Sequence, residues 1–196
     1  MRANRLIPIA GLAFAVACSD TATSPNSLTP VGGPLALQVD PGTYDDPDAL
    51  TANTPSGGHL RQQSDPIQCV VNADLSIDCN ALQIAGVGNT NAFVSLEAVY
   101  TATIDCNNPG NNPNNPIESH EGTFSDTDAA LETPGRNGTL RVGARSVSST
   151  GAPIGCPNPN WRPVIREGTL ELVEFTYSIL FDGFEEPNFA VLIQAP

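Results

Sequence analysis

The chain has 196 residues, enough for one domain with a tail. Its eight basic residues are all arginine and face 21 acids, for a formal net charge of −13. Such a surface repels phosphate backbones, so nucleic acid is not an expected partner, and without lysine neither a P-loop nor Schiff-base chemistry is available.

The first 17 residues read as a signal peptide. Arg2 and Arg5 make a short positive region, and Leu6 to Val16 is an apolar run of 11 residues, too short to span a bilayer as a helix. The run ends in Ala15-Val16-Ala17-Cys18, which resembles the lipobox of bacterial lipoproteins, with Ala15 where leucine is commonest. The resemblance implies a lipid on the Cys18 thiol, cleavage after Ala17 and acylation of the new amine, so that the membrane is a partner through several acyl chains. Ser19 stands where an inner-membrane retention signal would place aspartate, which directs the expectation to the outer membrane in a bacterium with two membranes. The mature part would carry six arginines against 21 acids, a formal charge of −15.

Residues 18–65 are rich in Pro, Gly and acids, as in Gly32-Gly33-Pro34, Asp40-Pro41-Gly42 and Asp45-Asp46-Pro47-Asp48. Few large apolar side chains offset chain entropy there, so the stretch is expected to be a disordered tether, with one short strand at most, over Leu35 to Val39.

From Pro66 to Pro196 the pattern turns to period two. Leu75, Ile77 and Cys79 alternate with Asp74, Ser76 and Asp78, and Val94 through Cys106 forms one face of a long run. Leu140, Val142 and Ala144 repeat the alternation; Thr169 to Phe181 is apolar on nearly both faces, as in a central strand, and Phe189 to Ile193 reads as a last strand. The one helical candidate is Asp126 to Leu131, opened by a capping aspartate. Turn residues punctuate the runs at Asn72-Ala73-Asp74, Gly86-Val87-Gly88-Asn89, Pro134 to Gly138 and Asp182-Gly183. The expected fold is all-β: an antiparallel β-sandwich over residues 66–196, immunoglobulin-like in general architecture.

After export, Cys69, Cys79, Cys106 and Cys156 form an even set in an oxidising compartment, which implies two disulfides with three connectivities open. Pairing of Cys69 with Cys79 across a hairpin turning near Asp74, and of Cys106 with Cys156, is preferred. No Cys-x-x-Cys spacing supports zinc, so no metal centre is expected. Around these cysteines the chain resembles a loose group of small exported bacterial β-proteins of unassigned function. The shared features are the strand Tyr100 to Cys106, the Asn/Pro/Gly-rich loop Asn107 to Pro116, and Cys156-Pro157-Asn158-Pro159-Asn160-Trp161. The resemblance implies a β fold over roughly residues 66 to 181 and pairing of Cys106 with Cys156; it carries no activity.

Chemistry is sparse. The two histidines are His59, in the tether, and His120, after the Asn/Pro loop, so a serine–histidine–acid triad would need His120. No Gly-x-Ser-x-Gly elbow is present. Among the acids, Asp126, Asp128 and Glu132 offer hard oxygen ligands for a cation such as calcium, without the third ligand and the glycine of an EF-hand loop. Asp45, Asp46 and Asp48 form a second acidic cluster, and Glu171 and Glu174 complete the set from which an acid–base pair would be drawn. Gly86-Val87-Gly88 lacks the third glycine of a dinucleotide fingerprint and reads as a turn. Trp161 is expected to plug one end of the core. No catalytic residue and no cofactor are assigned. The sequence favours a membrane-anchored, non-enzymatic structural or interaction module; a carbohydrate- or protein-binding module using loops at the sandwich end is the alternative, and a hydrolase using the acids and His120 is third.

Overall fold

A computed structural model describes residues 38–45, 50, 53–62, 66–110, 116–150 and 154–195. These form twelve β-strands and no helix. In chain order they are β1 (Gly42–Asp45), β2 (His59–Leu60), β3 (Gln68–Val71), β4 (Ile77–Cys79), β5 (Leu82–Ala85) and β6 (Ala92–Asn107), then β7 (Glu118–Glu132), β8 (Leu140–Val142), β9 (Arg145–Val147), β10 (Arg162–Ile165), β11 (Glu171–Phe181) and β12 (Val191–Ala195). Every pairing is antiparallel.

The first layer is a continuous sheet in the order β7-β6-β11-β12, with β10 taking over from β11 beside the last four residues of β6. Pro163 sits in β10, an outer strand, where its missing N–H breaks no ladder. The second layer is broken into two short sheets, β1-β3-β4-β9 and β2-β5-β8. The break falls at Asn80-Ala81 between β4 and β5 and at Gly143-Ala144 between β9 and β8, so these two pairs bend together.

Strict alternation makes the sandwich. In β6, Ala92, Val94, Leu96, Ala98 and Tyr100 are buried while Phe93, Ser95, Glu97 and Val99 face out. On β11 the inward set is Leu172, Phe175, Tyr177, Ile179 and Phe181; a bulge at Val173 keeps Leu172 and Phe175 on the same face. The second layer adds Cys69, Val71, Ile77, Leu82, Ile84, Leu140 and Val147 to one core cluster. Tyr44 meets Phe175 edge-on at 5.2 Å, and Tyr100 stacks on Phe124 at 5.8 Å. The Tyr100 hydroxyl donates to the Leu75 carbonyl at 3.1 Å, fastening the first layer to the β3–β4 turn. That turn is built by Asp74, whose carboxylate accepts from the Ser76 N–H and hydroxyl, while Leu75 takes a positive φ of 64°.

Both disulfides form as preferred. Cys69 faces Cys79 directly across β3 and β4, with Cα atoms 4.0 Å apart, and Cys106 at the end of β6 joins Cys156 at 5.8 Å. The two antiparallel layers make a β-sandwich, and neither disulfide crosses the core between them.

Three expectations are corrected. The folded body begins before residue 66: β1 pairs with β3, β2 pairs with β5, and Val39 is buried and donates to the Leu172 carbonyl at 3.0 Å. Two short apolar anchors, Val39 and Tyr44, suffice to recruit the segment because an existing strand edge supplies the rest of the bonding. Of the strand expected at Leu35 to Val39, only Gln38 and Val39 lie among the described residues, and the strand itself forms at Gly42–Asp45. Asp126 to Leu131 is not helical but the second half of β7, paired residue by residue with β6. Residues 1–37, including the expected signal peptide and Cys18, lie outside the described residues.

Candidate functional site

β7 is an outermost strand of the first layer, and its even-numbered residues point inward: Phe124, Asp126, Asp128, Ala130 and Glu132. The three acids singled out as cation ligands therefore share a face, but they aim at protein donors. Asp126 accepts the Ser148 N–H at 2.9 Å, Asp128 accepts the Ser146 N–H at 3.0 Å, and Glu132 ion-pairs with the largely buried Arg145. Arg145 also lies 3.9 Å from Asp128. Ser146 lies in β9 and Ser148 directly follows it, on the edge away from β4. The carboxylates thus take the place of a neighbouring strand and clamp the margins of the two layers together. No group of three or more His, Cys, Asp or Glu among the described residues is arranged to hold a metal ion.

The other sequence candidates are scattered. His120 lies on β7 opposite Ile104, with Nδ1 4.0 Å from the Cys106 Sγ, an atom locked in a disulfide. His59, read as tether, is in β2 and donates from Nδ1 to the Gly57 carbonyl at 2.8 Å. Glu171 and Glu174 are exposed at the start of β11, across from Thr101 and Val99. Asp45 ends β1, whereas Asp46 and Asp48 lie outside the described residues. Trp161 is half-buried and stands apart from the core cluster, beside β10, so it does not plug the core. Cys106 is likewise buried outside that cluster, because β6, β7 and β10 run on past the second layer. Of the Asn107 to Pro116 loop, residues 111–115 are outside the description; Asn107 is buried with its Oδ1 unpaired among the described residues. Gly86 and Gly88 form a turn with positive φ, as read.

The feature that the sequence did not announce is a groove of about 370 Å3 on the outer face of the first layer. Its floor is three cross-strand rungs between β6 and β11: Phe93 opposite Leu180, Ser95 opposite Ser178, and Glu97 opposite Thr176. The connection from β11 to β12 supplies the wall, with Glu186 and Phe189. Phe93 is 48 % exposed and continues outward to Leu131, its 61 % exposed partner on β7. Ser178 is only 8 % exposed and lies opposite Ser95 in the floor. Next to the groove, Glu174, Thr176 and Gln194 line a shallower depression that shares Thr176. The signal in the sequence was the outward set Phe93, Ser95, Glu97, but a hydrophobic ring on a solvent face does not tell which strand lies beside it. No protein-family model matches this chain, and neither the curated proteins nor the solved structures give a match.

Proposed function

We propose that the chain is an exported lipoprotein, held to a membrane by lipid on Cys18, whose β-sandwich serves as a non-enzymatic interaction module. One observation carries the reading: all four cysteines downstream of Cys18 are consumed in two disulfides, which leaves Cys18 as the odd one among five. An oxidised set of this kind fits an exported protein, and an unpaired thiol directly after Ala15-Val16-Ala17 fits a lipidation site. The sandwich would stand on the segment after Cys18, on the outer membrane if the bacterium has two.

Two observations support interaction over hydrolysis. The acids best placed by sequence, Asp126, Asp128 and Glu132, are engaged in joining the layers. His120 faces a disulfide sulfur instead of a nucleophile. The outer-face groove favours ligand binding on the sheet over binding by end loops. Mass spectrometry of the membrane-extracted protein tests the anchor. The expected N-terminal residue is a triacylated or diacylated Cys18, and Cys18→Ala should release the protein from the membrane fraction. A retained Met1, or an unmodified Cys18, would refute it.

A further inference from the structure

We infer that the outer-face groove is a binding site for an organic ammonium cation carried on a short hydrocarbon skeleton. The inference rests on reading the domain as an interaction module and names the chemistry of its ligand. The groove combines three kinds of surface. Phe93 and Phe189 present aromatic rings, whose faces attract cations by roughly 0.5–2 kcal/mol depending on desolvation. Glu97 and Glu186 present carboxylates, and among the described residues no basic side chain lines the groove to neutralise them. Ser178, nine-tenths buried in the floor, sets a hydroxyl-bearing rung opposite Ser95 across the strands.

Together these surfaces select among ligand classes. An anion meets two like charges. A neutral polyol finds hydrogen-bond partners, but its arrival desolvates carboxylates without supplying an opposite charge. An alkylammonium ion supplies the charge to Glu97 or Glu186, N–H donors to the hydroxyls of the floor, and methylenes to Phe93 and Leu180. Rungs on adjacent strands are about 4.8 Å apart and successive outward residues about 6.8 Å apart, so the apolar rung at Phe93 and the acidic rung at Glu97 are separated by about two such steps. An extended chain of about four to six carbons covers about half of that interval, reaching from Glu97 over the Ser95–Ser178 rung toward Phe93, and a volume of about 370 Å3 is in the range of small-molecule sites.

The test is calorimetric titration of the oxidised mature chain with 1,5-diaminopentane at low ionic strength, with 1,5-pentanediol as the uncharged isostere and cellotriose as a neutral glycan. One-to-one binding of the diamine is expected, at least tenfold tighter than the diol and weakened by added salt. Glu97→Gln and Phe93→Ala should each weaken it at least fivefold, and Ser178→Ala measurably. Glu167→Gln, in the exposed turn before β11, should leave it unchanged. Because Glu97 and Phe93 face out of the sheet, near-ultraviolet circular dichroism should confirm an intact core in both variants. Equal loss on Glu167→Gln, unchanged affinity in Glu97→Gln, or diol binding as tight as diamine would overturn the assignment. Binding of cellotriose without the diamine would overturn it too, yet leave the interaction module standing; failure of the lipoprotein reading is read separately, from the mass of the amino-terminal residue.

Discussion

The clamp between β7 and β9 can be tested by removing its carboxylates one at a time. In Asp126→Ala the Ser148 N–H loses the acceptor at 2.9 Å, and in Asp128→Ala the Ser146 N–H loses the one at 3.0 Å together with the nearby Arg145 charge. Leaving the half-buried Ser148 donor unpaired costs about 1–2 kcal/mol, so Asp126→Ala should lower Tm by roughly 2–8 °C in a domain of this size, and Asp128→Ala by less, because water reaches the exposed Ser146 N–H. Asp126→Asn keeps an acceptor oxygen and should lose about half as much. Hydrogen exchange localises the effect: the Ser148 amide should exchange roughly tenfold faster in Asp126→Ala, for a loss of about 1.4 kcal/mol. Thermal scans with and without millimolar calcium separate a clamp from a cation site. The reasoning fails if calcium raises the wild-type Tm by several degrees and the aspartate variants lose that gain, or if Asp126→Ala and Asp126→Asn melt with the wild type.

The two disulfides should differ in weight. By loop-closure entropy, removing Cys106–Cys156, with 50 residues between its ends, costs about 4 kcal/mol, and removing Cys69–Cys79, with 10, about 2.7, measurable by denaturant unfolding of the paired serine variants. Burial pushes the Tyr100 and Tyr177 hydroxyls up to about 12. Since both fold best protonated, their contribution is complete below pH 10 and is lost as pH rises from 10 to 12, which a pH series of urea melts would record. The Tyr177 hydroxyl is also buried with no partner among the described residues, so Tyr177→Phe should stabilise by about 1 kcal/mol and flatten the alkaline loss. Gly86 has φ +79° and a Cβ there would collide with the Gly57 backbone, so Gly86→Ala should destabilise by more than about 1 kcal/mol and loosen β2 from β5.

The long strands were legible because their burial is one-sided: β6 and β12 show alternation, and β11, flanked on both sides, shows a denser apolar run. The disulfides were legible from parity and from the hairpin that sets Cys69 opposite Cys79. β7 was partly misread, since its inward positions past Phe124 are filled by Asp126, Asp128 and Glu132, and polarity on both faces hides a period of two. β1 and β2 were missed for the opposite reason. Their stability comes from the edges of β3 and β5, which leave no local pattern in the Pro- and Gly-rich sequence around them. The groove draws one side chain in two from β6 and β11 and a wall from a loop some 90 residues downstream of Phe93, a juxtaposition set by register alone.

The carboxylates that occupy the β9 margin have a protective side. An outermost strand with bare amides invites a stranger's backbone to lie alongside it, and the edge strand Arg145–Val147 would otherwise offer such a row. With Asp126 and Asp128 already seated on the amides of Ser148 and Ser146, an incoming chain would have to evict two charges from a strongly acidic molecule. The same residues that make the domain hard to pry apart also keep crowded copies from polymerising along this side.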